Sequence, residues 1–273
     1  MVTNRYNLPQ ALVNLVKDKE YIDNRYSITE LLGPTREILL SRKYSKQIEV
    51  DVSDTITALF GSAVHKLLEE ADPENAEVKM EYTYDGITIV GIADKMKDDA
   101  IEDYKTTSVS KVQKADFNDW RDQGLGYAWL NFKLTGEIKR KLRFHALMKD
   151  WSKVRCASST NYPPHPLFTW EYDIQDSDYD YIEKRIKDKV AEVKAGRLIR
   201  CTDEERWYTG TKYAVYKNVG DKKATYVADT EEDAHNYIKN KLGAAEIVVR
   251  KGECLKCKYY CKVAKFCEQA KEE

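Results

Sequence analysis

Val90 to Lys105 reads VGIADKMKDDAIEDYK, and the pairing of this stretch decides the fold. Two runs with β-type alternation, Ile87 to Met96 and Ala100 to Thr106, flank Asp98-Asp99, a pair that tolerates the positive φ angles of a tight hairpin turn. With those two residues as the loop, Lys97 faces Ala100 and Asp94 comes opposite Asp103. Side chains alternate with period two, so Asp103 and Lys105 point the same way, beside Asp94. Like charges directly across a ladder destabilise it by about 1 kcal/mol. A bare structural strand has little reason to pair two aspartates, and a metal ion supplies one.

Two carboxylates and a lysine on a sheet rim suit metal-assisted phosphodiester hydrolysis. Carboxylates fix one or two Mg²⁺ or Mn²⁺ ions, which carry the phosphate oxygen, lower the pKa of an attacking water and stabilise the leaving oxygen. A lysine orients the water and offsets charge developing on the phosphoryl group. The same spacing also fits a solvated hairpin, because 33% of the chain is charged. The preceding helix separates the two readings. From Asp54 the sequence DTITALFGSAVHKLLEEA places Ile56, Phe60, Val64, Leu67 and Ala71 on one apolar stripe, with Asp54 as the expected N-cap. At about 100° per residue, His65 falls roughly 140° from that stripe, next to Gly61 and Ala58, whose small size lets another element approach. Glu81, in the strand run VKMEYTY, adds an acid ahead of the hairpin.

Taken in order, Gly61 and His65 in GSAVH, Glu81, Asp94 in GIAD, Asp103-Tyr104-Lys105 in EDYKT, and Gln123 with Tyr127 in QGLGY resemble the PD-(D/E)XK nuclease superfamily. The likeness is to its RecB-like branch, which includes recombination-helicase nuclease domains, CRISPR-associated exonucleases and many phage exonucleases. It spans roughly residues 25 to 175. The resemblance implies an α/β restriction-endonuclease-like core, a mixed central sheet flanked by helices. It implies His65, Asp94, Asp103 and the Tyr104 carbonyl as ligands of Mg²⁺ or Mn²⁺, Lys105 as the catalytic lysine, and Glu81 as an auxiliary acid. Gln123 and Tyr127 match a QxxxY motif that contacts nucleic acid from a helix beside the catalytic centre. Ala93 stands where the superfamily's name has proline, a departure common in this branch.

The QxxxY segment also reads as a helix by itself, with Trp120, Gln123 and Tyr127 sharing a face. That face can pack on a base or ribose; alternatively Trp120, Tyr127, Ala128 and Leu130 are core, the better reading for Trp120. Gly124 and Gly126 weaken the helix by roughly 1 kcal/mol each, a penalty that a close backbone approach explains.

At 273 residues and 42% apolar content the chain can bury a full core. MVTNRYNLPQALVNL shows neither a basic start nor a long hydrophobic stretch, and no apolar run reaches eighteen residues, so a cytoplasmic protein without a membrane partner is expected, in a bacterial cell or phage-infected host. With 45 basic and 46 acidic residues, bulk charge does not mark a nucleic-acid binder. Local basic stretches do occur: Lys133 to Arg143 (KLTGEIKRKLR), and Lys251, Lys256, Lys258, Lys262 and Lys265 in the tail.

Four of the six cysteines, Cys254, Cys257, Cys261 and Cys267, fall in CLKCKYYCKVAKFC. In a cytosolic protein such a cluster points to zinc or an iron–sulfur cluster more than to disulfides. Some RecB-like nucleases carry a four-cysteine iron–sulfur cluster with one ligand far upstream. Here no cysteine precedes Gly61, so the fourth thiolate is expected from Cys254 or, alternatively, Cys201.

Between core and tail, a helix from Asp178 to Ala195 with Ile182, Ile186, Val190 and Val193 on one face is expected to end at Gly196. A hairpin of TKYAVYKN and KKATYVAD, a helix from Thr230 to Lys241 and a strand EIVVR follow. The expected organisation is a nuclease domain over residues 1–200 and a small ββαβ and cysteine-rich region, 201–273, packed on it. The expected function is metal-dependent hydrolysis of DNA, at ends or on single strands, as an exonuclease in recombination, replication or repair, alongside proteins of those processes. The alternatives are a non-catalytic nucleic-acid-binding or assembly subunit, and a hydrolase of another phosphoester.

Overall fold

Along ITIVGIADKM, buried and partly exposed residues alternate from Ile87 to Met96 with one interruption of degree at Ile92, the period-two signature of a strand with one face on a core. The computed structural model describes residues 1–16, 19–74 and 76–272 and divides into two units, Met1–Leu198 and Ile199–Glu273. In the first unit, β1 (Arg25–Ser27), β2 (Ala76–Tyr84), β3 (Ile87–Met96), β4 (Ala100–Thr107), β5 (Lys141–Met148) and β6 (Leu167–Asp173) form one mixed sheet. Its helices include α1 (Val52–Ala71), α2 (Asn118–Thr135) and α3 (Asp176–Ala195).

One edge of β3 carries β2 in an antiparallel ladder from Tyr84–Ile87 to Ala76–Lys95. The other edge is shared. β1 pairs parallel with Thr88 to Val90, and β4 pairs antiparallel at Lys95–Glu102 and Met96–Ile101. Between these two partners β3 and β4 diverge, leaving a notch at Asp94. β4 then pairs parallel with β5 along its whole length, and α2 forms part of the crossover that a parallel pair requires. β6 closes the sheet antiparallel to β5.

The β3–β4 turn is closed by Lys97 N–H to Ala100 O at 2.9 Å. Asp98 and Asp99, expected to take positive φ, are not among the residues that do so. A buried lysine accounts for the difference: Lys139 Nζ donates to Lys97 O and Asp98 O, while Arg140 and Lys141 N–H reach Asp99 O. The turn's carbonyls are satisfied by tertiary donors, so local turn chemistry does not dictate its form.

α2 lies against the sheet with Trp120, Leu125, Ala128, Trp129 and Leu130 buried. A Cβ on Gly124 would stand 2.7 Å from Leu142 Cδ1, and one on Gly126 2.5 Å from Ile28 Cγ1, so both glycines serve a close approach. α3 buries Ile182, Ile186, Val190 and Val193 and ends at Gly196 with φ +64.

α1 departs from its sequence reading in two ways. Its N-cap is Asp51, not Asp54: the Asp51 carboxylate accepts from Ser53 N–H and also from Thr3 Oγ1 and Arg5 N–H. The apolar stripe does not reach the core either, since Phe60 is 61% and Leu67 66% exposed. The helix approaches the sheet on its Gly61 side, where an added Cβ would stand 3.3 Å from Thr106 Oγ1.

In the second unit, β7 (Lys212–Tyr216), β8 (Tyr226–Ala228) and β9 (Glu246–Arg250) pair antiparallel in the order β8-β7-β9. A helix, Glu231–Tyr237, is N-capped by Thr230. Val215, Ala228 and Ala234 form its small core. Cys254 and Cys267 are buried, while Cys201, Cys257 and Cys261 are half-buried. Among the described residues no helix is long and apolar enough to cross a membrane.

Candidate active site

Around the notch between β3 and β4 lie His65, Asp94, Asp103, Tyr104, Lys105 and Gln123 of the residues singled out in the sequence. The β3–β4 ladder ends at Lys95–Glu102, one pair short of the expected Asp94–Asp103 facing. Where the next backbone bond would form, the Asp94 carboxylate takes the donor instead: Tyr104 N–H reaches Asp94 Oδ2 at 2.8 Å. The same oxygen lies 3.1 Å from His65 Nδ1, one turn beyond Gly61 on α1. His65 is half-buried, and its bond to Asp94 holds the imidazole pKa above its ordinary value against the opposing effect of burial.

Asp103 is 1% exposed. Its Oδ1 accepts from Gln123 Nε2 at 3.1 Å. Its Oδ2 pairs with Lys105 Nζ at 2.6 Å. Burial pushes the Asp103 carboxyl up to about 6, opposed by Lys105 and reinforced by Asp94. Lys105 Nζ donates to Gln123 Oε1 at 2.9 Å and sits 5.5 Å from the Phe144 ring centroid. Gln123 therefore uses both ends of its amide, accepting from Lys105 and donating to Asp103 and to Tyr127 Oη at 2.9 Å.

Two expectations shift here. Tyr127 is 5% exposed, and burial raises its phenol pKa; α2 turns it into the core, where it buttresses Gln123 instead of presenting a surface to nucleic acid. Glu81 stands opposite Val90 in the β2–β3 ladder, and its carboxylate is 2.6 Å from Arg25, which holds its pKa below the ordinary value. Glu77 instead lines the cleft with His65, Asp94 and Tyr104, together with Glu69 and Asp72; Asp72 is paired with Lys95. The readable signal for Glu77 is Asp85-Gly86, both at positive φ, a two-residue hairpin turn. Counting back from its Tyr84–Ile87 closing pair brings Glu77 level with Asp94.

Tyr104 is held by its backbone, and its ring stacks on His145 at 5.4 Å. The donor chemistry of Asp94, Asp103, His65 and the Tyr104 carbonyl suits a divalent cation such as Mg²⁺ or Mn²⁺, and Asp103 Oδ2, which faces Lys105 Nζ, keeps lone-pair capacity that such an ion would take. Among the described residues no three His, Cys, Asp or Glu side chains are gathered about one point. The carboxylates are instead neutralised singly, Asp94 by His65 and Asp103 by Lys105. Among the described residues the cysteine-rich segment shows no gathered metal-ligand set either.

No family model and no curated protein matches the sequence. Among solved structures, the protein SSO0001 is 18% identical over 67% of this chain and 81% of its own, with a TM-score of 0.44. An alkaline exonuclease from Laribacter hongkongensis, also solved in complex with dAMP, is 12% identical over 63% of this chain and 89% of its own, with a TM-score of 0.37. With TM-scores below 0.5 neither likeness bears on function.

Proposed function

We propose that this protein is a metal-dependent nuclease of the PD-(D/E)XK superfamily, RecB-like branch, that hydrolyses DNA phosphodiesters. One observation carries the reading: a lysine ammonium, clamped by Gln123, stands 2.6 Å from the oxygen of a carboxylate that is buried beside a second acid. A second carboxylate and an imidazole close the other side of the same notch. A structural ion pair has no need of such an arrangement.

Mg²⁺ or Mn²⁺ held by Asp94, Asp103, His65 and the Tyr104 carbonyl would supply Lewis acidity at the phosphate and lower the pKa of the attacking water. Lys105 orients that water and offsets charge developing on the phosphoryl group. Gln123 fixes the ammonium, and Tyr127 fixes Gln123, so the lysine does not have to be ordered at the moment of reaction. Asp94 holds the Tyr104 backbone in place through Tyr104 N–H. Glu77, Glu69 and Asp72 add negative potential that favours a cation and disfavours bare phosphate. Exonuclease action on DNA ends or single strands, in recombination, replication or repair within the cytoplasm, is the biological setting we infer.

A time course on end-labelled single- and double-stranded DNA with Mn²⁺, Mg²⁺ or EDTA tests this, with bis-p-nitrophenyl phosphate as the generic ester. Cleavage of DNA that EDTA abolishes supports the reading. DNA binding without cleavage in either metal leaves a non-catalytic binding subunit, and turnover of the generic ester alone leaves another phosphoesterase.

A further inference from the structure

An unassigned surface lies in the second unit. Trp207, Tyr259 and Tyr260 are 51%, 63% and 69% exposed. The Trp207 and Tyr260 rings stand 5.2 Å apart. Backbone contacts fix this pairing: Tyr208 and Cys254 form an antiparallel bridge, and Leu255 N–H donates to Trp207 O at 3.3 Å. Trp207 holds φ +56 at the end of the short helix Asp203–Arg206, in the left-handed region that a bulky side chain rarely adopts. A tryptophan kept half-exposed in that conformation gains little core burial in return, and such outliers concentrate where a ligand is held.

The charge around the rings is one-sided. From Lys251 to Cys267 the chain carries five lysines and one glutamate, in a protein whose net charge is −1. Lys258 Nζ lies 5.3 Å from the Tyr259 ring centroid and 3.0 Å from Glu253, and Lys262 follows two residues after Tyr260. Asp203, Glu204 and Glu205 precede Trp207 in the short helix, so the cationic run belongs to the tail segment.

We propose that Trp207, Tyr259 and Tyr260, with Lys258 and Lys262, bind single-stranded nucleic acid: the rings stack on unpaired bases and the lysines contact phosphates. Exposed rings of this kind suit any base, because every base has a π-face, and cation placement beside them suits the backbone. A duplex hides its base faces, so single strands are favoured over paired ones. The site is independent of the cleavage chemistry proposed above and is testable in its absence.

The experiment uses full-length Lys105→Ala protein in EDTA with labelled (dT)20, (rU)20 and a 20-base-pair duplex. Anisotropy and tryptophan quenching are read together, since Trp207 is the one exposed tryptophan among the described residues. Expected is tighter binding of the single strands than of the duplex, quenching that Trp207→Leu removes, and a loss of roughly tenfold or more in affinity for Tyr260→Ala. Equal binding of (dT)20 and (rU)20 assigns the shared base-and-phosphate chemistry, and preference for (dT)20 assigns DNA. Lys258→Glu with Lys262→Glu, both at exposed positions, should weaken binding and flatten its salt dependence, with the melting temperature read alongside to register the lost Lys258–Glu253 pair. Unchanged affinity in the lysine pair and in Tyr260→Ala overturns the proposal. So does self-association of the wild type that the ring variants abolish, which makes a second copy the occupant.

Discussion

In EDTA, Asp103→Asn should change how stability depends on pH instead of simply weakening the fold. Burial lifts the Asp103 carboxyl from 3.8 to about 6, so the folded chain holds this proton more tightly than the unfolded chain does. The group's contribution is therefore fully present below the unfolded value, falls as pH rises through the interval, and is flat above about 6. At 1.36 kcal/mol per decade that interval corresponds to roughly 3 kcal/mol at most, and the effective dielectric of real protein interiors, well above the dry limit, reduces it to on the order of 1 to 2 kcal/mol. Asparagine has the shape of the protonated acid and no charge to bury. Urea unfolding of wild type and Asp103→Asn at pH 4.5 and 7.5 reads the difference directly. The two proteins should be close at pH 4.5, and the variant should be more stable at pH 7.5. A variant that is less stable at pH 7.5, or offset equally at both values, would refute the assignment of Asp103 as a destabilised buried carboxylate.

Gly126→Ala should destabilise by about 1 to 3 kcal/mol in urea unfolding, because its Cβ meets Ile28 Cγ1 at 2.5 Å and overpacking outweighs the gain in helix propensity; a raised midpoint contradicts the packing described. Glu183, held down to about 2 by Lys133 and Lys187, contributes stability above its unfolded pKa of 4.5 that is lost as pH falls toward 2. Solvent screening limits the contribution to about 1 kcal/mol or less, and Glu183→Gln should flatten acid unfolding over that window; an unchanged slope removes the pair from the account. At the site, Glu77→Gln should lower metal-dependent cleavage by roughly tenfold while Glu81→Gln leaves it nearly intact. The reverse ranking would return Glu81 to the role that its sequence position implied.

How far the molecule was legible depended on whether a signal was local. The α3 stripe of Ile182, Ile186, Val190 and Val193 is buried as a 3.6-residue period requires, and Gly196 ends the helix as a C-cap glycine does. The β3–β4 pairing follows from loop length alone. α1 was misread because its cap draws on Thr3 and Arg5, far away in sequence, and because apolar periodicity marks a stripe without saying which neighbour covers it. The notch at Asp94 depends on β1 arriving beside Thr88 to Val90, which no property of residues 90–105 announces. Tyr127 and Gln123 were placed on the right helix. Their turning inward follows from the glycines that bring α2 down onto Leu142 and Ile28, a consequence of close packing that the motif alone does not express.

The central claim is that Lys105 serves the chemistry while the carboxylates hold the cation, and Lys105→Ala separates these functions. Cleavage of end-labelled DNA and the Mn²⁺-induced rise in melting temperature are measured on the same preparations. The account predicts a loss of cleavage of about 10² or more, with the Mn²⁺ stabilisation of wild type retained, since an ion that binds only the native state stabilises it according to its affinity. Near-normal cleavage by Lys105→Ala would contradict it.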